Sequence, residues 1–329
     1  MRSMIITFLL FLVLIIFPIS QANDHLDFSS IDKDLQLKKI TKYQSDSVST
    51  RVRFIVIHFT SLNWEDSLRV LTEEQFAVSS HYLIPESEDQ SYPSSKLSIY
   101  QLVDEKDRAW HAGKSQWEER TNINDQSIGI ELVNQAECNF NTDKDMRLLY
   151  RENYSCTFPN FDSKQIDLLI PLLKEILDKH EEIKPTYIVG HSDIAPDRKF
   201  DPGPKFPWKF LYENGIGAWY EDSTRDKYLN EFESGKLPSL SEIQCALNHY
   251  GYKIETTSSE KDSFYVIRAF QYHFRPAKAN GELDIETIAI LWALLDKYFP
   301  KALDGNLKVI CPSDSVSYTH LTLPTTPYV

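Results

Sequence analysis

Residues Phe54 to Ile57 form a run that is apolar on both faces of an extended chain. Such a run is typical of a central strand covered on both sides, and it argues against a strand with one face in water. Similar strand patterns follow at 80–84, 98–103, 127–133 and 186–190. Because helical patterns separate these strands, the sequence predicts an α/β fold with a mixed central β-sheet flanked by helices.

Two helices are predicted between the strands. Apolar residues at helical spacing run from Ser163 to about His180, and Asp162 with Gln165 resembles a capping box at the start. Pro171 lies inside this helix and should kink it. A shorter helix is predicted over 64–71. These helices supply the layers that would cover the sheet.

The first residues have the pattern of a cleavable export signal. Arg2 precedes an apolar stretch from Met4 to Phe17, and Pro18 breaks that stretch before small residues that end at Ala22. The pattern predicts a signal peptide over 1–22 and a protein that is periplasmic or extracellular after cleavage near Ala22. The alternative is an uncleaved anchor, but the stretch is shorter than the roughly 20 residues of a membrane span. No cysteine near the cleavage point could carry a lipid, so no stable membrane anchor is expected.

Length and charge restrict the domain count and the class of partner. A chain of 329 residues is longer than one hydrophobic core usually grows, which favours two domains. Its net charge of −13, without a basic block, argues against a nucleic-acid partner, since phosphate binding needs clustered cations. The oligomeric state is not determined by the sequence, and a monomer is the default expectation.

Four cysteines in an exported protein are predicted to be structural. Cys138 and Cys156 bracket a polar segment and could staple it, and Cys245 could pair with Cys311. Four cysteines allow three pairings, and the sequence does not choose among them. None has the close spacing of a zinc knuckle.

Composition and periodicity divide the chain after the signal peptide. A segment at 221–238 is rich in charge and punctuated by Gly235 and Pro238, which predicts a linker. Beyond it, three short amphipathic helices predict a second, small three-helix domain. The predicted parts are an N-terminal arm over 23–49, a catalytic domain over 50–220, the linker, the helical domain over 239–300 and a disordered tail over 301–329.

Two histidines each follow a predicted strand. His58 ends the first apolar run, His191 follows the strand at 186–190, and a proline-rich loop then brings Asp201. Strand ends hold side chains rigidly, as metal ligands require. Two imidazoles and one carboxylate leave a fourth position open on tetrahedral Zn²⁺, as in catalytic zinc sites. The three residues are therefore predicted to bind one zinc ion. Taken alone, a histidine such as His58 could equally be an ordinary core or surface residue. Asp201 alone could be a turn residue before Pro202.

Two more charged residues are candidates for the chemistry. On the strand at 127–133, Glu131 shares a face with Gly129, where an ionised carboxylate is costly without a partner. Water on the zinc would be such a partner, which predicts Glu131 as the general base; the alternative is a salt bridge to a core arginine. Lys199 precedes Asp201 by two residues and is predicted to stabilise an oxyanion. Its alternative is an ordinary surface lysine.

These residues belong to five motifs that occur in order. They are Ile-His-Phe-Thr at 57–60, Ser-His-Tyr-Leu-Ile at 80–84, Ala-Trp-His-Ala-Gly at 109–113, Ser-Ile-Gly-Ile-Glu-Leu at 127–132, and His-Ser-Asp-Ile-Ala-Pro through Asp-Pro-Gly-Pro at 191–204. The set resembles the type 2 N-acetylmuramoyl-L-alanine amidases, a zinc family that includes phage lysozyme-amidases and animal peptidoglycan recognition proteins. Phe270 to Pro276, Gly281 to Asp284 and Thr287 are similar to a three-helix peptidoglycan-binding domain.

The resemblance implies a function and assigns roles. His58, His191 and Asp201 would hold zinc, Glu131 and Lys199 would be catalytic, and the substrate would be the amide bond between N-acetylmuramic acid and L-alanine in peptidoglycan or muropeptides. Two alternatives stay open: a non-catalytic peptidoglycan recognition protein, and a zinc peptidase that cuts the stem peptide. His81 and His111 stand in the same motifs, as pocket-lining or structural residues outside the metal set.

Overall fold

The computed structural model describes residues 45, 47–140, 154–235, 237–305 and 307–311. The strands are β1 (Phe54–Phe59), β2 (Tyr82–Ile84), β3 (Tyr100–Gln101), β4 (Gln116–Trp117), β5 (Arg120–Thr121), β6 (Ser127–Leu132), β7 (Glu137–Phe140), β8 (Tyr154–Thr157) and β9 (Ile188–Gly190). The helices are α1 (Trp64–Thr72), α2 (Ser163–Lys179), α3 (His191–Ile194), α4 (Trp208–Glu213), α5 (Asp222–Ser234), α6 (Leu240–Tyr250), α7 (Glu260–Phe274) and α8 (Ile285–Tyr298). The predicted signal peptide over 1–22 lies outside the described residues.

Five strands form a mixed central sheet in the order β3-β2-β6-β1-β9. Strand β1 is parallel to β6 and β9, β2 is parallel to β6, and β3 is antiparallel at the edge. All six residues of β1 are buried, as expected for a run that is apolar on both faces. Helix α2 packs its apolar stripe into the same core. The predicted α/β class, a mixed sheet flanked by helices, is confirmed.

The two helices predicted beside the sheet begin at side-chain caps. The Asn63 side chain accepts a hydrogen bond from the backbone N–H of Asp66, and Asp162 accepts one from that of Lys164. Gln165 differs from the capping-box expectation, because its amide donates to the carbonyls of Ile84 and Val133 at 2.9 and 3.0 Å. A buried amide has to satisfy its hydrogen bonds locally, so Gln165 joins α2 to the sheet instead of capping the helix.

Helices α6, α7 and α8 bury Phe270 and Trp292 fully, and their apolar side chains are continuous with the core of the sheet. The structure differs from the sequence expectation at 221–238, predicted as a linker, since α5 occupies most of that segment and packs on α8. Its Tyr228 and Phe232 are buried, and the Phe232 ring lies 5.6 Å from that of Trp292. Charged residues cover the other faces of α5. The average composition of the segment is therefore polar, although Tyr228 and Phe232 form a narrow aromatic stripe at i,i+4 spacing.

Two disulfides join the four cysteines. Cys138 pairs with Cys156 across the β7–β8 ladder, where the two residues stand directly opposite each other. Cys245, in α6, pairs with Cys311. Of the three pairings that the sequence left open, the structure contains this one. Both bonds stabilise the fold chiefly by restricting the unfolded chain.

Part of the segment predicted as a disordered tail, 301–329, is folded. Leu303 and Val309 form an isolated antiparallel bridge, and the indole N–H of Trp292 donates to the Leu307 carbonyl at 2.8 Å. The disulfide at Cys311 holds this turn against the helices, a constraint that the local sequence does not reveal. Residues 312–329 lie outside the described part of the chain. Within that part, none of the helices combines the length and the apolar character needed to cross a bilayer.

Candidate active site

The predicted metal ligands come together at one edge of the central sheet. His58 lies in β1 and His191 follows β9, and these strands are parallel neighbours, so their carboxyl ends meet. Asp201 returns in the loop after α3, and its Oδ2 lies 2.9 Å from His58 Nδ1 and 3.1 Å from His191 Nδ1. All three side chains are buried, and their ligand atoms lie within 4.8 Å of one another.

The outward nitrogen of His191 has a partner that determines its tautomer. Nε2 lies 3.1 Å from the carbonyl oxygen of Ala112, which can only accept a hydrogen bond. Nε2 therefore carries the proton and Nδ1 keeps its lone pair. Arg198 donates to the same Ala112 carbonyl at 2.7 Å and to that of Lys114, which holds the acceptor in place. Burial lowers the pKa of His191 to about 4, so the ring is neutral at pH 7.

His58 is oriented by a chain of hydrogen bonds whose directions can be assigned. The Ser127 hydroxyl donates its one proton to the Ile123 carbonyl at 2.7 Å, so it must accept from His111 Nε2–H at 3.1 Å. His111 Nδ1 is then an acceptor, and His58 Nε2–H donates to it at 3.0 Å. His58 Nδ1 consequently keeps its lone pair. Burial, with the neighbouring imidazoles, holds the pKa of His111 well below its usual range.

Three electron-pair donors thus converge on one point. The third donor is the carboxylate of Asp201, since an aspartate is ionised at pH 7. With the two imidazole protons directed outward and the carboxylate ionised, lone pairs of His58, His191 and Asp201 face one another at hydrogen-bonding distance. Such a set is repulsive unless a cation lies between the atoms. The geometry therefore fits a metal ion bound by two nitrogens and one oxygen.

Glu131 stands beside this cluster, directly across from His58 in the register of β6 and β1. Its Oε2 is buried and makes no hydrogen bond within the described part of the chain. Burial raises the pKa of the Glu131 carboxyl to about 7, despite the opposing effect of His58 and Lys199. A carboxyl with a pKa near 7 and an unused oxygen can exchange protons with a molecule in the site.

A cavity of about 270 Å³ opens onto these groups. The predicted residues His58, Glu131, His191, Lys199 and Asp201 all line it. Its walls are mixed, with apolar side chains such as those of Phe59, Val70, Leu71 and Phe200. At the rim, Trp110 is 53% exposed, with the Arg108 guanidinium 3.9 Å from its ring. An exposed tryptophan at the rim of a cavity with mixed walls offers a face for a sugar or peptide group.

The sequence analysis left His81 and His111 without a distinct role, and the structure separates them. His81 Nδ1 accepts from the Gly129 N–H at 2.9 Å and its Nε2 faces the Asp107 carbonyl, so His81 bonds backbone only. His111 bonds His58 itself. A signal for this was present in Gly129: a Cβ there would lie 2.5 Å from the His111 ring, so that glycine leaves space for it. The Ala112 carbonyl was missed because a backbone acceptor has no sequence signature, and Ser127 was missed because its partner His111 is 16 residues away in the chain.

Two family models match the chain. The model described as N-acetylmuramoyl-L-alanine amidase matches residues 48–204, and that of a peptidoglycan binding domain matches residues 236–291. Among curated proteins, the chain is similar to N-acetylmuramoyl-L-alanine amidase AmiD of Escherichia coli (strain K12). The two are 42% identical over 265 residues, which cover 78% of this chain and 87% of that protein.

Two solved structures are similar over most of the chain. AmpDh3 from Pseudomonas aeruginosa, crystallised with an anhydromuramic pentapeptide, has a TM-score of 0.73 and 44% sequence identity, and the match covers 80% of this chain and 99% of that one. AmiD from Escherichia coli, in complex with the substrate anhydro-N-acetylmuramic acid-L-Ala-D-γ-Glu-L-Lys, has a TM-score of 0.65 and 41% identity, with 78% and 94% covered. Both likenesses extend beyond the sheet into the part of the chain that contains helices α5 to α8, here called the helical region.

Proposed function

The chain belongs to the N-acetylmuramoyl-L-alanine amidase family, and on that premise we propose that it is a zinc-dependent hydrolase of the amide bond between N-acetylmuramic acid and L-alanine. The substrate class is peptidoglycan or the muropeptides released from it. The relatives named above support this class, since one carries a muropeptide substrate and another an anhydromuramic pentapeptide in their crystal structures.

The single observation that carries the metal proposal is the convergence of His58 Nδ1, His191 Nδ1 and Asp201 Oδ2. Two neutral imidazoles and a carboxylate form the donor set of catalytic zinc sites, which keep a fourth position for solvent or substrate. The outward nitrogens are held by His111 and by the Ala112 carbonyl, the type of support that zinc-bound histidines require. The residues present therefore fit one Zn²⁺, which would supply a Lewis acid that polarises a carbonyl and acidifies water.

Glu131 is proposed as the general base and then the general acid. Its carboxylate takes a proton from the water that attacks the lactyl carbonyl carbon. As the carbon–nitrogen bond breaks, the same carboxyl returns that proton to the alanine nitrogen. The products are a free lactyl carboxylate and a stem peptide with an N-terminal L-alanine. A pKa near 7 suits both halves of this exchange.

Lys199 is proposed to stabilise the oxyanion of the tetrahedral intermediate. It lines the cavity with Glu131, and its partial burial strengthens the field of its ammonium group there. Its charge also acts on Glu131, whose pKa it lowers. Lys199 and Glu131 thus approach the reacting amide from the same cavity, one as a fixed charge and the other as a proton carrier.

Metal analysis and digestion of muropeptides test the proposal together. We expect about one zinc per chain and, by mass spectrometry, release of intact stem peptides that begin with L-alanine. Asp201→Asn should lose both zinc and activity, whereas Asp197→Asn, an exposed carboxylate of the same loop, should keep both. Zinc binding without any cleavage would favour a recognition protein, and cleavage within the stem peptide would favour a peptidase; either result contradicts the proposed amidase.

Domain organisation and export are also proposed. The two family matches support a catalytic region over 50–220 and a peptidoglycan-binding helical region over 239–300, with α5 as an added helix of the latter. The pattern of residues 1–22 supports export to the periplasm or beyond. Intact-mass measurement of the exported protein tests this, because cleavage after Ala22 leaves Asn23 as the first residue. A secreted product that retains Met1 would contradict it.

A further inference from the structure

We propose that two residues of the helical region, Tyr252 and His273, position the segment 191–201 that carries two metal ligands and Lys199. The proposal rests on the proposed zinc amidase function. It adds a role for the helices beyond any binding of peptidoglycan, since their contact with the catalytic region is made at Asp193, which does not line the cavity. Tyr252 and His273 touch neither the metal site nor the cavity, so they are positioning residues.

The contact centres on Asp193, which follows His191 by two residues and is 1% exposed. Its Oδ1 accepts a hydrogen bond from the Tyr252 hydroxyl at 2.6 Å. Its Oδ2 accepts from His273 Nδ1 at 2.8 Å and from the Gly190 N–H at 2.7 Å. Two of the three donors to this buried carboxylate therefore come from the helical region. Because a buried carboxylate is costly without donors, Asp193 has a strong preference for this one position.

Both donors are themselves held rigidly. The His273 ring stacks on Trp208 of α4, with ring centroids 3.8 Å apart and planes 15° apart. The Tyr252 ring packs against Trp117 at 4.8 Å. Gly251 permits this approach, since its φ is +136° and a Cβ there would lie 2.4 Å from the Trp117 ring. The direction of each hydrogen bond to Asp193 is thus determined by aromatic packing between the two regions.

A second contact holds the middle and far part of the segment. Arg268 of α7, 1% exposed, donates to the Pro196 carbonyl at 2.6 Å and reaches the Lys199 carbonyl at 3.4 Å. Together with Asp193, these contacts span the chain between the ligands His191 and Asp201. Within the described part of the chain, the segment pairs with none of the strands, so the helical region supplies the rigidity that the sheet gives to His58.

Metal ligands that lose outer support typically lose ten- to a hundredfold in metal affinity. We therefore expect Tyr252→Phe to weaken zinc binding a few fold and His273→Leu ten- to a hundredfold, measured by competition with a chelator. With zinc in excess, kcat on a soluble muropeptide should fall about tenfold while KM stays within about twofold, because most of the residues that line the cavity lie outside the segment 191–201. His273→Asn should restore most of both values, because an Asn amide can donate from the position of Nδ1.

The matched control is Gln271→Met. Gln271 lies two residues before His273 on α7, is fully buried, and bonds only within the helical region, to Gly281, Glu282 and Thr287. It should lower the unfolding temperature at least as much as His273→Leu while leaving zinc affinity unchanged. Circular dichroism would establish that each variant is folded at the assay temperature.

The outcomes separate the two proposals. A parent protein that binds no zinc and cleaves no muropeptide contradicts the proposed function. If the parent is active but folded Tyr252→Phe and His273→Leu bind zinc as it does, with an unchanged kcat, the positioning role is overturned. It is overturned as well if Gln271→Met weakens zinc binding as strongly as His273→Leu, since general destabilisation would then explain both.

Discussion

The proposed metal site of His58, His191 and Asp201 and the Arg275 network in the helical region use similar residues in opposite ways. Around Arg275, donors face acceptors: the guanidinium bonds Asp284, Glu286 and Thr287, and Lys278 adds a further bond to Asp284. Around Asp201, acceptors face acceptors, and the donors point outward. The first arrangement is complete without a ligand and can serve stability alone, whereas the second is complete only when a cation is added. Buried polar residues are therefore informative through the directions of their hydrogen bonds.

The largest expected effect concerns Glu131, whose Oε2 has no partner among the described residues. Glu131→Gln keeps the shape of the side chain and removes the base, so kcat should fall by about a hundred- to ten-thousandfold. Zinc content should stay at the parent level, because the ligands are untouched. Single-turnover hydrolysis of a muropeptide, with elemental analysis of the same sample, checks this. A variant with near-parent turnover would mean that the unpartnered oxygen has no catalytic use.

The next effect tests the chain of hydrogen bonds behind His58. His111→Leu removes the acceptor for His58 Nε2–H and should weaken zinc binding roughly ten- to a hundredfold. His111→Asn is the matched variant, because its amide oxygen can accept from the same position as Nδ1 and should retain most of the affinity. Chelator competition measures both. Equal affinities for the two variants would show that His111 only fills space.

Substitution of Arg275 should have the opposite pattern to substitution of His111, with a loss of stability and no loss of zinc affinity. Arg275→Met leaves Asp284 and Glu286 without their main partner, and since the Arg275 side chain is only 11% exposed, the unfolding free energy should fall by roughly 2 kcal/mol. Zinc affinity should not change. Urea unfolding and chelator competition on one preparation provide the two values. A loss of zinc affinity here would remove the distinction between the two networks.

The smallest effect is a pH dependence of stability at Asp284. Burial would raise the pKa of this carboxyl, but the bonds from Thr287, Lys278 and Arg275 lower it to about 2. An acid whose pKa is lower in the folded than in the unfolded state stabilises the fold above its ordinary pKa near 4, and that contribution disappears as the pH falls towards 2. After allowance for solvent screening, this contribution of Asp284 to the free energy of unfolding is about 1 kcal/mol. The stability difference between the parent and Asp284→Asn should be constant above pH ~4 and vanish near pH ~2. A difference that does not vary with pH would contradict this.

Local patterns were sufficient for much of the fold. The two-faced apolar run of β1, the cap at Asp162 and the stripe of α2 follow from periodicity and side-chain chemistry within a few residues. The same patterns misjudged α5, since a helix with two aromatic residues in a charged segment looks like a linker until its partner α8 is known. Gln165 shows the same limit, because its amide bonds the carbonyls of Ile84 and Val133, which are distant from it in sequence.

The sequence by itself determined which residues could bind a metal: His58 and His191 stand at strand ends, and Asp201 follows in a stiff loop. Only the tertiary structure decided which nitrogen of each ring is available, because that depends on Ser127, His111 and the Ala112 carbonyl, which meet the rings through the sheet. It also decided that the Asp193 carboxylate accepts hydrogen bonds from two residues of the helical region. The physical reason is that residue type and spacing set a group's chemistry and reach, whereas hydrogen-bond direction depends on partners that folding brings from elsewhere in the chain.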